Sequence, residues 1–201
     1  MTSVLHIALL GELTVTGDSG EIALPASRKT RALLGYLAAT GRPIRRERLC
    51  ELFWDLPDDP RASLRWALSK VRKVVDNDGV RRIVADRERV TLMLDDLHVE
   101  LRHIWFRLND DPPIIPPAEL RNMAELFELP FLDGLENAGT ELFQQWIVSE
   151  RENVRLMQLN VLRRLALHPE LSQEECVKWA RQWQKETPVD AKAARCLTKA
   201  L

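Results

Sequence analysis

Between Arg61 and Lys73 the chain carries Arg61, Arg65, Lys70, Arg72 and Lys73 and no acidic residue. Guanidinium and ammonium groups make charge-assisted hydrogen bonds to phosphate, and both can donate to the edges of guanine. In the same stretch Leu64, Leu68, Val71 and Val75 recur at i, i+4, i+7 and i+11, one face of a helical period. Pro60 suits a first helical turn, with Asp58 or Asp59 as its cap. The sequence therefore predicts one amphipathic helix, Pro60–Val75. Ala62, Trp66, Ser69, Lys70 and Lys73 lie opposite the apolar stripe, and Arg65 and Arg72 lie on its flank. Arg61 and Ser63 stand in the first turn. A cationic helix of this kind, with a second helix just ahead of it, suits the major groove of double-stranded DNA. The plainer alternative is a solvated face on a core helix. Trp66 is the odd member: a large aromatic on the outward face either packs on the sheet or the second half of the chain, or meets DNA.

Two further basic sets flank this helix. Arg28, Lys29 and Arg31 open a predicted helix, where cations oppose the dipole. That placement favours phosphate contact, with backbone amides helping. Arg87 and Arg89 fall in a polar turn between two apolar runs. They are either an ordinary charged turn or arginines aimed at a minor groove, whose negative potential rises where it narrows.

Around these residues the sequence predicts the elements that must hold them. Arg28–Ala39 reads as a helix ended by Gly41 and Pro43. Arg46–Trp54 reads as a second, with Leu49, Leu52 and Phe53 on one side, joined through Asp55–Asp59 to the cationic helix. Val80–Ala85 and Val90–Leu94 read as a hairpin closed by Asp86–Arg89. Val4–Leu10, Leu13–Thr16 and Ile22–Leu24 read as short strands broken by Gly11 and by Gly17–Gly20. A small sheet, three helices and a hairpin is the order of an OmpR-type winged helix.

The second half reads as helical. Asp96–Leu108, Ala118–Glu128, Thr140–Leu167, Ser172–Glu186 and Val189–Leu201 are the expected helices, separated by prolines where a helix must stop. Asn109–Pro117 is a stiff, proline-rich connector. The last two helices form a pair with small residues at Ala180, Ala191, Ala193 and Ala194. Stacked pairs of this type leave a concave face for proteins or peptides.

The chain resembles the SARP-type bacterial transcriptional activators. The resemblance rests on Leu9–Gly11, Ser27–Leu34, Leu52–Trp54, Ala62–Arg65 with Leu68 and Val71–Arg72, and Val84–Arg87. In the second half it rests on Phe131–Gly134, Phe143–Trp146 and Glu150–Glu152. It covers nearly the whole chain. The resemblance implies an α+β OmpR-type winged-helix DNA-binding domain, residues 1–94. An all-α, TPR-like bacterial transcriptional activator domain would follow, residues 95–201, expected to be cut short at its C-terminus. It also implies promoter sites arranged as direct repeats, RNA polymerase as a partner and a homodimer on DNA. The proline-rich Asn109–Pro117 departs from the pattern, and so does the absence of a nucleotide-binding module or further repeats.

Composition agrees. The net charge of −1 hides an asymmetry, because residues 1–94 hold 16 Lys/Arg and 12 Asp/Glu while the remainder holds 13 and 18. Arg28–Arg48 alone carries seven basic residues and one acid, Glu47. A basic half joined to an acidic half fits a nucleic-acid reader beside a module that handles something else. Three widely spaced cysteines, Cys50, Cys176 and Cys196, suggest a reducing compartment and no disulfide framework. No apolar run reaches the length of a membrane span, and the start lacks the pattern of a signal peptide. The expectation is a cytoplasmic, nucleoid-associated protein.

Enzyme chemistry finds no support. His6, His98, His103 and His168 show no metal-ligand spacing, and His98 and His103, five apart in an expected helix, do not share a face. Gly17–Gly20 is followed by no Lys-Ser/Thr and opens no helix, so it is not a phosphate loop. Asp95 and Asp96 read as caps for the next helix. Trp179 and Trp183, at i and i+4, read as packing between repeats. No cofactor and no metal are expected. The competing reading is a helical protein-interaction module whose winged helix contacts protein rather than DNA. A small-ligand sensor in the helical half is a third reading, carried by no motif.

Overall fold

Two small sheets and seven helices make up the described part of the chain, a mixed α/β fold. The computed structural model describes residues 4–55, 59–76, 79–109, 114–188 and 194. Two compact units emerge from its internal packing. One comprises Met1–His103 with Pro130–Glu150, the other Ile104–Leu129 with Arg151–Leu201. The expected boundary after residue 94 thus differs from this division. The segment containing Phe131–Gly134 and Phe143–Trp146, assigned above to the second half, belongs to the first unit.

In the first unit, β1 (Leu5–Ala8), β2 (Thr14–Gly17), β3 (Gly20–Glu21) and β7 (Leu97–Val99) form a sheet in the order β3-β2-β1-β7. β1 pairs antiparallel with β2 and parallel with β7. Alternation buries Leu5, Ile7, Leu97 and Val99 on one face. Two expectations change here. Ile22–Leu24 is not a strand, because β3 ends at Glu21. The predicted helix from Asp96 starts only at Glu100, as α4 (Glu100–Asn109), and Leu97–Val99 extends the sheet instead.

Between β1 and β7 the chain forms α1 (Arg28–Thr40), β4 (Ile44–Arg45), α2 (Arg46–Phe53), α3 (Pro60–Val75), β5 (Ile83–Ala85) and β6 (Arg89–Leu92). The second sheet has the order β4-β6-β5, all antiparallel. Ser27 caps α1 by accepting from the Thr30 N–H, and Gly41 ends it in the left-handed conformation. Gly41 also lies against the Arg102 guanidinium and Leu94, so a side chain there would have to displace them. The segment after Pro130 closes over this frame. Leu132 donates its N–H to Leu9 O, Asp133 donates to Gly11 O, and Leu132 packs on Gly35 of α1. Phe131, Phe143 and Trp146 join Tyr36 and Phe53 in one aromatic cluster.

Among the described residues, Arg82 is the one charged side chain with no solvent exposure. Its Nε and Nη2 donate to the two carboxylate oxygens of Asp96 at 2.9 and 2.6 Å, and its Nη1 donates to Val75 O at 2.6 Å. Asp76 accepts the Arg82 and Ile83 N–H groups at 2.9 and 3.1 Å. Asp96 is therefore not a helix cap. It clamps the guanidinium that fastens the end of α3 to the hairpin. Asp96→Ala is expected to cost about 3 kcal/mol, the low end for stranding a buried charge because Asp96 itself is partly solvated. The urea midpoint measures this. Arg82→Met with Asp96→Leu should recover much of the loss, and a single-variant loss below about 1 kcal/mol would show that water screens the pair.

The second unit holds the rest of α4, α5 (Pro117–Leu126), the later part of α6 (Glu141–Ala166) and α7 (Gln173–Glu186). Ser172 and Glu175 form a capping box at the start of α7. Leu162 and Ala166 of α6 pack on Ala180 and Trp183 of α7, with Leu159 and Trp179 at the margin. Arg107 pairs with Glu119 through both carboxylate oxygens, and Arg121 pairs with Glu175. His168 is buried. Its Nδ1 accepts from the Glu170 N–H, so its Nε2 donates to Ile115 O. The expected helix Val189–Leu201 and residues 110–113 of the connector lie outside the described residues, apart from Ala194.

Candidate nucleic-acid interface

α3 forms because its sequence satisfies each end and one face. The Asp59 carboxylate accepts the Arg61 and Ala62 N–H groups, and Pro60 occupies the first turn where no N–H bond is lost. Asp58, the other candidate cap, lies outside the described residues. Leu64, Ala67, Leu68, Val71, Val74 and Val75 are buried. That leaves Arg61, Arg65, Trp66, Ser69 and Lys73 exposed, with Ser63, Lys70 and Arg72 half-buried. Arg72 and Lys73 sit in the last turn, where cations suit the dipole.

Four arginines converge beside α3. A cleft of about 580 Å³ is lined by Arg46 and Glu47 of α2, by Arg61, Leu64 and Arg65 of α3, and by Ala85, Asp86 and Arg87 of the hairpin. Both acids in it are engaged. Glu47 lies 3.8 Å from Arg61, an exposed and weak pair. The Asp86 carboxylate accepts the Glu88 and Arg89 N–H groups, each at 2.7 Å, and those bonds hold it below the ordinary carboxylate range. Arg46 steadies the same turn by donating its Nε to Asp86 O at 2.8 Å and its N–H to Glu88 O. The cleft thus presents guanidinium groups on a turn whose shape is fixed by short-range bonds. Arg89 lies at the start of β6 rather than in the turn, opposite Arg45.

A second cleft, of about 620 Å³, runs between the start of α1 and α3. Ser27, Lys29, Thr30, Trp54, Ala62, Ser63, Trp66 and Ala67 line it. Trp66 is 54% exposed, which goes against the alternative that it packs on the sheet, and its ring is left open to a partner. The Lys70 ammonium stands 5.1 Å from its ring centroid, a cation–π pair at i, i+4. The Ser69 hydroxyl donates to Trp66 O at 2.7 Å and is spent within the helix.

The structure therefore brings Arg61, Arg65 and Arg87 together at one cleft and Lys29, Ser63 and Trp66 at another. Arg28, Arg31, Ser69, Lys70, Arg72, Lys73 and Arg89 line neither. Arg28 is exposed, but its Nη2 donates to Gly134 O, which ties α1 to the segment after Pro130. The Nε of Arg31 is enclosed without a hydrogen-bond partner. Sequence reasoning missed Arg46 and Trp54. The density of basic residues over Arg28–Arg48 was the signal for Arg46. Trp54 had no signal beyond its place at the end of α2.

No helix among the described residues is long and apolar enough to cross a membrane. No protein-family model matches the chain, and no curated protein matches it in sequence. Among solved structures, the fold is similar to EmbR of Mycobacterium tuberculosis, determined in complex with a low-affinity phosphopeptide. The TM-score is 0.67 at 18% identity, over 99% of this chain and 55% of EmbR. The chain thus spans about half the length of that protein, and the likeness is one of fold.

Proposed function

We propose that the chain is a sequence-specific, DNA-binding transcriptional regulator of the SARP type, and not an enzyme. The observation that carries this is the cleft in which Arg46, Arg61, Arg65 and Arg87 meet beside an exposed, cationic helix face. The fold likeness to EmbR over nearly the whole chain supports a SARP-like arrangement and a regulatory role. In this reading α1–α3 and the β5–β6 hairpin are an OmpR-type winged helix. α3 enters the major groove, and its outward residues Trp66 and Lys70 meet base edges. Arg61, Arg65 and Arg87 hold phosphates, which set register without reading sequence. The helices of the second unit are the TPR-like activator domain, and they contact RNA polymerase. Binding is to direct repeats in a promoter, by a homodimer, in a bacterial cytoplasm.

A protein-binding reading has one observation in its favour, the phosphopeptide held by EmbR. Selection of bound duplexes from random DNA separates the two. The expected result is one enriched motif, with affinity falling steeply as salt rises. Lys70→Ala should change the preference at a single base position, at a cost of about 1–3 kcal/mol there. Uniform weakening would assign Lys70 to the backbone. No enrichment at any salt concentration would leave the protein-binding reading.

A further inference from the structure

Three histidines from three different elements share one surface of the first unit. His6 of β1 and His98 of β7 are direct partners in the parallel ladder, with ring centroids 5.0 Å apart. The His103 ring, on α4, lies 4.7 Å from that of His98. This corrects the expectation that His98 and His103 occupy one helix and face apart. His98 sits in the strand, so α4 turns His103 back onto it. The rings lie on the face of β1 and β7 opposite buried Leu5, Ile7, Leu97 and Val99. His6 and His103 are exposed and His98 is half-buried, so protons reach all three.

Several charged groups near the trio hold partners of their own. On α4, Glu100 accepts the Leu9 and Leu10 N–H groups, and Arg102 donates to Thr40 O. Asp96, just before β7, holds Arg82. On β2 the residue opposite His6 is Thr16, and the nearest acid in that direction is Glu21 on β3, one strand further out. Among the described residues, no three His, Cys, Asp or Glu side chains are disposed to hold a metal ion.

We propose that His6, His98 and His103 form a proton-operated clasp. Neutral rings pack β7 and the start of α4 onto β1, and protonated rings repel one another and loosen that edge of the sheet. The edge is suited to this because β7 is three residues long and pairs on one side, with β1. Burial pushes the His98 imidazole below its ordinary 6.5, and the neighbouring His103 and His6 charges push it further down. The sign follows from linkage. The unfolded chain takes up its proton near the ordinary value and the folded chain only at lower pH. Stability from the clasp is therefore complete above about pH 6.5 and is lost as pH falls from there through the folded value.

Amide hydrogen exchange on the full chain, in the presence of a chelator, tests this. After correction for intrinsic rates, the β7 amides should lose several-fold in protection between pH 7.5 and 5.5. Amides inside α3 should hold theirs. H6Q/H98Q/H103Q should abolish the difference. Unchanged β7 protection in the wild type, or an equal loss in the triple variant, overturns the clasp. If the triple variant does not fold, imidazole NMR titration of the wild type decides. His98 titrating at the lowest pH, on curves broadened by coupling, supports it. Three independent curves at the ordinary histidine value overturn it.

Discussion

A chain cut after Leu94 is expected to have no cooperative unfolding transition. The cut follows the boundary suggested by the switch from a basic to an acidic composition. It removes Asp96 and leaves the fully buried Arg82 without its bidentate partner. It removes β7, so β1 loses its parallel neighbour. It also removes Phe131, Phe143 and Trp146 from the cluster around Tyr36 and Phe53, where Phe131 and Phe143 are almost wholly buried. Truncating one buried phenylalanine typically costs about 3–5 kcal/mol. Two such losses and a stranded charge together reach the whole stability of a small domain, about 5–15 kcal/mol. Circular dichroism during a urea titration is the measurement. A sigmoidal transition close to that of the full chain would show that residues 1–94 hold a sufficient core of their own.

The largest effect on DNA binding is expected from Arg61, Arg65 and Arg87 changed together to Ala. They line one cleft, where Asp86 is held by the Glu88 and Arg89 N–H groups and Glu47 makes only a weak, exposed pair with Arg61. Each phosphate contact contributes about −0.9 to the slope of log affinity against log salt, so the triple variant should flatten it by about 2.7. Affinity at low salt should fall by orders of magnitude for every sequence alike, because phosphate contacts carry no sequence information. Arg46 is left in place, since its bonds to Asp86 and Glu88 shape the hairpin turn. Fluorescence titration of duplex DNA at several salt concentrations gives the slope. A slope equal to that of the wild type would remove this cleft from the interface, whatever binding remained.

What the sequence by itself determined is local in origin. The helix Pro60–Val75 was legible to the residue, because its cap, its Pro and its apolar period all act within a few positions of one another. The helices at Arg28, Arg46 and Ser172, the hairpin and the packing role of Trp183 were legible for the same reason. Three of the arginines now found at one cleft were nominated from charge alone. What only the tertiary structure decided depends on partners far along the chain. Leu97, Leu101, Ile104 and Leu108 have helical spacing, yet Leu97–Val99 is a strand because β1 offers an open edge to pair with. Arg82 reads as one polar position in a strand until Asp96 and Val75 are seen to enclose it. Phe131–Gly134 sits past the change in charge that suggested a boundary, but hydrogen bonds to Leu9 and Gly11 assign it to the first unit. Periodicity and capping are written in neighbouring residues, whereas a sheet edge, a buried ion pair and a cluster of imidazoles exist only once distant segments meet.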